Sequence, residues 1–214
     1  MDIDIKKAFK APLCVDNWVL KVIIGGILIM IPFANFVVIG YLVKALKNFI
    51  NKEERLPEYA NWGELFVTGG KLIIGSILFA IPVFLLALIT SMLFSKAGAL
   101  SVVLNLVIEV VAGIIVLIMV AGFAIDEKIL SMIDFGRMKK FIENNNSGIV
   151  SLILGVLGVY LVYMLVSIVA CLLVVTIVLL PFICYAMMIS IYNVIGQFAS
   201  NAQNLNQIKA EAGV

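Results

Sequence analysis

The one ionisable side chain that falls deep inside an apolar run is Glu109, near the middle of the stretch Ala97 to Ile125. A carboxylate at the centre of a membrane span costs on the order of 2.5–3.5 kcal/mol, so it must be protonated, paired or turned towards water. Ser101, Asn105, Glu109 and Gly113 follow one another at i+4, which lays a polar stripe along one helix face. Asn35, at the tip of an earlier apolar run, is among the polar groups expected to meet that stripe, with Ser76, Thr90, Thr176, Asn193 and the Tyr160, Ser167 and Cys171 stripe. Two chemistries suit these residues. Glu109 is either the titrating group of a proton- or cation-coupled pathway, or a neutral acid hydrogen-bonded to Asn105 or Asn35 that glues helices together. No second ionisable residue lies at that depth to relay a proton, which favours the gluing role.

Catalytic chemistry finds less support. The chain has no histidine, and its three cysteines, Cys14, Cys171 and Cys184, show no CxxC spacing. Neither a metal site nor a nucleophile–histidine pair is therefore expected. The interfacial acids are Glu53, Glu54, Glu58, Glu64, Asp126, Glu127 and Asp134. Asp126 and Glu127 beside Lys128 are the nearest approach to a divalent-ion site, but adjacent acids point to different faces of a helix, and the expectation is that they sit solvated. No phosphate-cradling loop and no basic–aromatic patch for nucleic acid appears. No catalytic residue, cofactor or nucleic-acid partner is assigned.

The elements that must position Glu109 follow from composition. The 214 residues are 64% hydrophobic and 13% charged, against about 45–50% and about 25% in an ordinary soluble domain. The apolar residues come in blocks longer than the ~18 needed for a spanning candidate. Between Gly148 and Gln197 there is no Asp, Glu, Lys or Arg. No signal peptide is expected, because the first apolar run begins near Trp18 behind a mixed-charge segment.

Lys and Arg cluster before residue 22, between Lys44 and Lys71, and between Lys128 and Lys140, with Lys96 alone between the last two groups. The positive-inside rule then places those clusters, and both termini, in the cytoplasm of a multi-pass plasma-membrane protein, with Lys96 outside. Residues 19–49 carry inside-type charge at both ends and must enter and return. As a hairpin turning at Pro32 to Asn35, each arm is about 20 Å long, short of the ~30 Å hydrocarbon core. The alternative is one kinked span with the N-terminus outside. The predicted fold is an all-α, polytopic membrane bundle of three helical hairpins, 19–49, 71–125 and 148–197, forming one domain. The first is short and broken at Pro32, and the third turns around residues 170–174.

An amphipathic segment precedes each hairpin, at 1–17, 56–70 and 129–143, and a polar tail, 200–214, closes the chain. Lys6, Lys7 and Lys10 oppose Ile5, Ala8 and Phe9 in the first segment; Trp62, Leu65 and Phe66 form the apolar face of the second; Lys139 and Lys140 oppose Met138, Phe141 and Ile142 in the third. Such segments lie among headgroups with Lys snorkelling and aromatics buried, so Lys6, Lys7, Lys10, Trp62, Phe66, Lys139 and Lys140 are the expected lipid contacts.

Residues 21–32, KVIIGGILIMIP, repeat at 71–82 as KLIIGSILFAIP with Lys, Gly and Pro in register, the mark of a duplicated unit. Around the two copies, Trp18, Gly25-Gly26, Ile31-Pro32, Asn35, Gly40-Tyr41, and above all LPEYANWGELFVTGGK from Leu56 to Lys71, resemble the multi-spanning proteins of the domain-of-unknown-function 4013 family. Asn61 stands where that resemblance would place an acidic residue. The likeness covers about the first 95 residues and, past them, rests on hydropathy; it implies a membrane architecture and no particular reaction. The leading expectation is a non-catalytic membrane protein of interaction or lipid-organising type. The alternative is a small-molecule or ion transporter or channel using the stripe around Glu109, and an intramembrane lipid-modifying enzyme ranks third. Expected partners are membrane lipids and, beyond them, a second copy or another membrane protein.

Overall fold

The computed structural model describes residues 3–13, 17–53, 55–172 and 180–201, with 146–147 and 169–172 described as helix only. Of the turn expected at 170–174, residues 170–172 are helix, the end of α8, and 173–174 fall outside these residues, as do positions 202–214 of the tail. All regular structure among them is helical: α1 Ile5–Lys10, α2 Trp18–Ile29, α3 Asn35–Ile50, α4 Trp62–Leu93, α5 Ala99–Asp126, α6 Ile129–Ile133, α7 Phe135–Asn144, α8 Asn146–Leu172 and α9 Leu180–Ser200. Five stretches are long and apolar enough to cross a membrane: Pro32–Ile50, Trp62–Leu93, Ala99–Asp126, Gly148–Ile168 and Leu180–Ser200. This is an all-α polytopic bundle.

The two copies of the repeated phrase begin alike and end differently. Asn17 and Asn61 both take left-handed backbone immediately before a Trp that opens a helix. Asn tolerates that conformation at little cost. The first copy stops at Ile29, and Ile31 adopts the extended backbone favoured before proline. The second runs straight through Pro82 in a 32-residue helix. Two expected boundaries change accordingly. Segment 56–70 is no separate surface helix, because from Trp62 onward it forms the first turns of α4. Segment 129–143 is two short helices parted at Asp134.

Residue contacts fix the depth of each element. Asn105 of α5 bonds Ser91 of α4, and Thr68 of α4 bonds Glu127 just past α5, so α4 and α5 run antiparallel over their whole paired length. α3 meets only the beginning of α4: Phe36 packs on Gly69, Gly40 on Leu65, and Lys44 pairs with Glu64. Lys21, at the start of α2, bonds Leu56 O and Glu58 beyond the end of α3. Both ends of segment 19–49 therefore lie at the charged end of the bundle. Its tip reaches the level of Gly69, while α4 continues for ~35 Å past it.

The core gathers at that same end. The best membrane windows of α3 and α9 are 56% and 50% buried, against 17%, 11% and 17% for α4, α5 and α8. Beyond the core, large apolar side chains such as Phe84, Met92, Val103, Leu106 and Leu161 point outward, the arrangement a lipid surround requires.

Candidate functional site

The structure separates the four residues of the expected intramembrane site. Asn105 faces α4, its amide donating to Ser91 Oγ at 3.0 Å, while its own Oδ1 is buried without a donor. Ser101 is half-buried one turn before it. Glu109 is exposed and meets no partner among the described residues. Asn35 stands beside Phe36, level with Gly69, so it lies ~33 Å along α4 from Ser91. A hydrogen bond between Asn35 and Glu109 is ruled out by that spacing, and the four groups do not form one continuous polar line.

Helical periodicity explains where Glu109 points. Glu127 lies about five turns further on and shares its face. There the face is covered: Glu127 Oε1 pairs with Lys47 Nζ at 3.0 Å, and Thr68 donates to Oε2 at 3.4 Å. Lys47 belongs to α3, whose reach ends at Phe36 against Gly69. Further out, nothing in the described chain lies over this side of α5.

The expected interfacial residues divide in two. In α7, Met138 and Phe141 are buried, Phe141 edge-on to Phe198 at 5.4 Å, and Lys139 and Lys140 are exposed. Asp4 caps α1 by accepting from Lys7 N–H, and its backbone exchanges hydrogen bonds with the Gln197 side chain. These contacts leave Lys6 and Lys10 exposed and Lys7 half-buried. Trp62 and Phe66 are 48% and 43% exposed, Phe66 stacking on Phe36 at 5.0 Å.

Sequence reasoning missed how the charged end is wired. Asp126 is enclosed and Glu127 only partly exposed, and each turns to its own cation, Asp126 to Arg137 at 2.9 Å and Glu127 to Lys47. Ser131 adds a 2.7 Å hydrogen bond to Asp126. Lys21 is buried against Leu56 O and Glu58, and beside it Tyr41, Tyr59 and Tyr185 form a cluster. The Tyr59 and Tyr185 hydroxyls share a hydrogen bond, and burial pushes the Tyr59 phenol well above its ordinary range. No set of three potential metal ligands converges among the described residues.

A cleft of about 350 Å³ opens between α4 and α5 on the side away from Glu109. Phe79, Pro82 and Leu86 form one wall, Val107 and Val111 the other, and Phe135 closes the end nearest the charges. Its lining is wholly apolar. Phe135 is the first residue of α7 and shares a face with Lys139, four residues on. The cleft is thus adjoined by an exposed ammonium one helical turn from its aromatic cap. A second cavity of about 340 Å³, bounded by Asp4, Lys7, Lys52, Glu53, Asn193 and Gln197, holds charges of both signs in balance.

A family model described as a protein of unknown function (DUF4013) matches residues 24–183, well past the stretch in which the motifs are concentrated. No curated protein and no solved structure matches the chain.

Proposed function

We propose that this chain, which belongs to the DUF4013 family, is a non-catalytic, lipid-binding membrane protein that takes one acyl chain into the α4–α5 cleft and holds an anionic headgroup through Lys139 and Lys140. The observation that carries this reading is the adjacency of the apolar cleft, its cap Phe135 and the exposed Lys139 on one face of α7. A cleft walled only by hydrocarbon offers no hydrogen bond to a polar solute, and a lipid tail needs none. The nearby ammonium groups select headgroup charge, since a basic residue at an anionic surface contributes about 1 kcal/mol.

Lys139→Gln with Lys140→Gln is expected to weaken binding of anionic lipid about 30-fold, from about 2 kcal/mol lost, while zwitterionic lipid binds as before. Native mass spectrometry of delipidated protein titrated with each lipid measures both. Equal loss for the two lipids, or none for either, removes headgroup selection from the reading.

The same reading puts the charged end in the cytoplasm and both termini with it, on the charge rule. Cysteine placed at Lys96 is then expected to react with an impermeant maleimide in intact cells, and cysteine at Lys139 only after permeabilisation. The reverse pattern inverts the topology.

A further inference from the structure

We propose that the chain pairs with a second copy of itself through the face of α5 that carries Glu109, the two α5 helices lying side by side about a two-fold axis along the membrane normal. Four observations lead there. Glu109 sits mid-way along α5, exposed and without a partner among the described residues. Its face is covered by Lys47 and Thr68 at Glu127 and uncovered further out, because α3 reaches only to the level of Gly69. α5 is the least buried of the five spanning candidates, at 11%. One turn after Glu109, Gly113 has open space where a side chain would stand.

Acyl chains cannot hydrogen-bond a carboxyl, so lipid alone leaves Glu109 unsatisfied. A second copy inserted in the same orientation satisfies it by symmetry. A two-fold contact brings each residue of the axis helix against itself. Glu109 then faces its own copy, a polar group of matching hydrogen-bonding capacity, in place of hydrocarbon. Gly113 lets the backbones approach closely enough for that contact. Because this face lies on the opposite side of α5 from the acyl-chain cleft, pairing leaves the cleft open, and the two proposals stand or fall separately.

The test uses full-length protein in lipid vesicles, with resonance energy transfer between donor- and acceptor-labelled copies read across protein-to-lipid ratios. Wild type and Glu109→Gln are expected to pair, since an amide also donates and accepts, and Glu109→Leu to pair about ten-fold more weakly. Val102→Cys, two turns before Glu109 on the same face, nearer the membrane surface and 69% exposed, is expected to form a disulfide-linked dimer under mild oxidation. Circular dichroism unchanged in Glu109→Leu assigns its effect to the contact, as the side chain is exposed within one copy. Wild type that stays monomeric at every ratio, Glu109→Leu that pairs as tightly as wild type, or Val102→Cys that cross-links only to a different protein would overturn the proposal.

Discussion

Arg137→Met is expected to cost about 3–5 kcal/mol of stability, the range for stranding a buried charge by deleting its partner. The Asp126 side chain is 3% exposed and that of Arg137 16%, with Nη1 and Oδ2 2.9 Å apart. Ser131 Oγ and the Lys128 backbone N–H occupy the other carboxylate oxygen. Met fills the space of the arginine stem but supplies no donor, so Asp126 is left enclosed without its cation. The double variant Asp126→Asn with Arg137→Met is expected to recover most of the loss: the amide oxygen still accepts from Ser131 and Lys128, and no charge is left to solvate. Unfolding of purified protein in mixed micelles, followed by far-ultraviolet circular dichroism, compares the three. A single variant as stable as wild type would mean that water reaches Asp126. The effect extends to the proposed lipid site, because Arg137 lies in the first turn of α7 and ties that helix, with Phe135, Lys139 and Lys140, to the end of α5.

That ion pair illustrates what the chain's linear pattern does and does not disclose. Apolar run length was sufficient for the all-α membrane bundle, because it depends only on residues close in sequence. The pairing of the clustered charges depends on the fold. Lys21 finds Glu58, and Lys47 finds Glu127, across long intervening segments. Asp126 and Glu127 diverge as adjacent helical residues must, yet each meets a cation from another element. The polar stripe on α5 was half legible. Its i+4 spacing places Asn105 towards α4, where Ser91 receives it. Glu109 is rotated further round the helix, and whether that flank is covered depends on how far α3 reaches, which periodicity cannot express. The second amphipathic segment has a different boundary from the one expected: Trp62 and Phe66 open a single helix that runs through Pro82 to Leu93.

The reach of α3 is set by glycine, which yields the second large effect. Gly40→Ala and Gly69→Ala are each expected to destabilise by about 3 kcal/mol, at the upper end of ordinary overpacking. A Cβ on Gly40 would stand inside the contact radius of the Leu65 carbonyl, and one on Gly69 inside that of Phe36. Both obstacles are backbone, so no rotamer change relieves them; α3 and α4 must move apart, loosening the Lys44–Glu64 pair and the Phe36–Phe66 stack with them. Once one substitution has parted the helices the other costs less, so the double variant should fall short of the sum. Gly122→Ala, with open space at its Cβ, is the control and should gain up to about 1 kcal/mol from helix propensity. The repeated phrase supplies a finer comparison. Gly25 and Gly75 hold the same place in its two copies, but a Cβ on Gly25 would strike the Tyr185 ring, and one on Gly75 the flexible thioether of Met132. Tyr185 is fully buried and tied to Tyr59, whereas methionine has spare rotamers with which to yield. Gly75→Ala should therefore be the milder of the pair, and unfolding midpoints of the five single variants and the double in one micelle composition give the order. If Gly25→Ala and Gly75→Ala cost the same, the two sites share a packing role despite their different neighbours. If they differ as expected, the duplicated phrase specifies a close approach at a set depth and leaves each copy to fill it with its own partner.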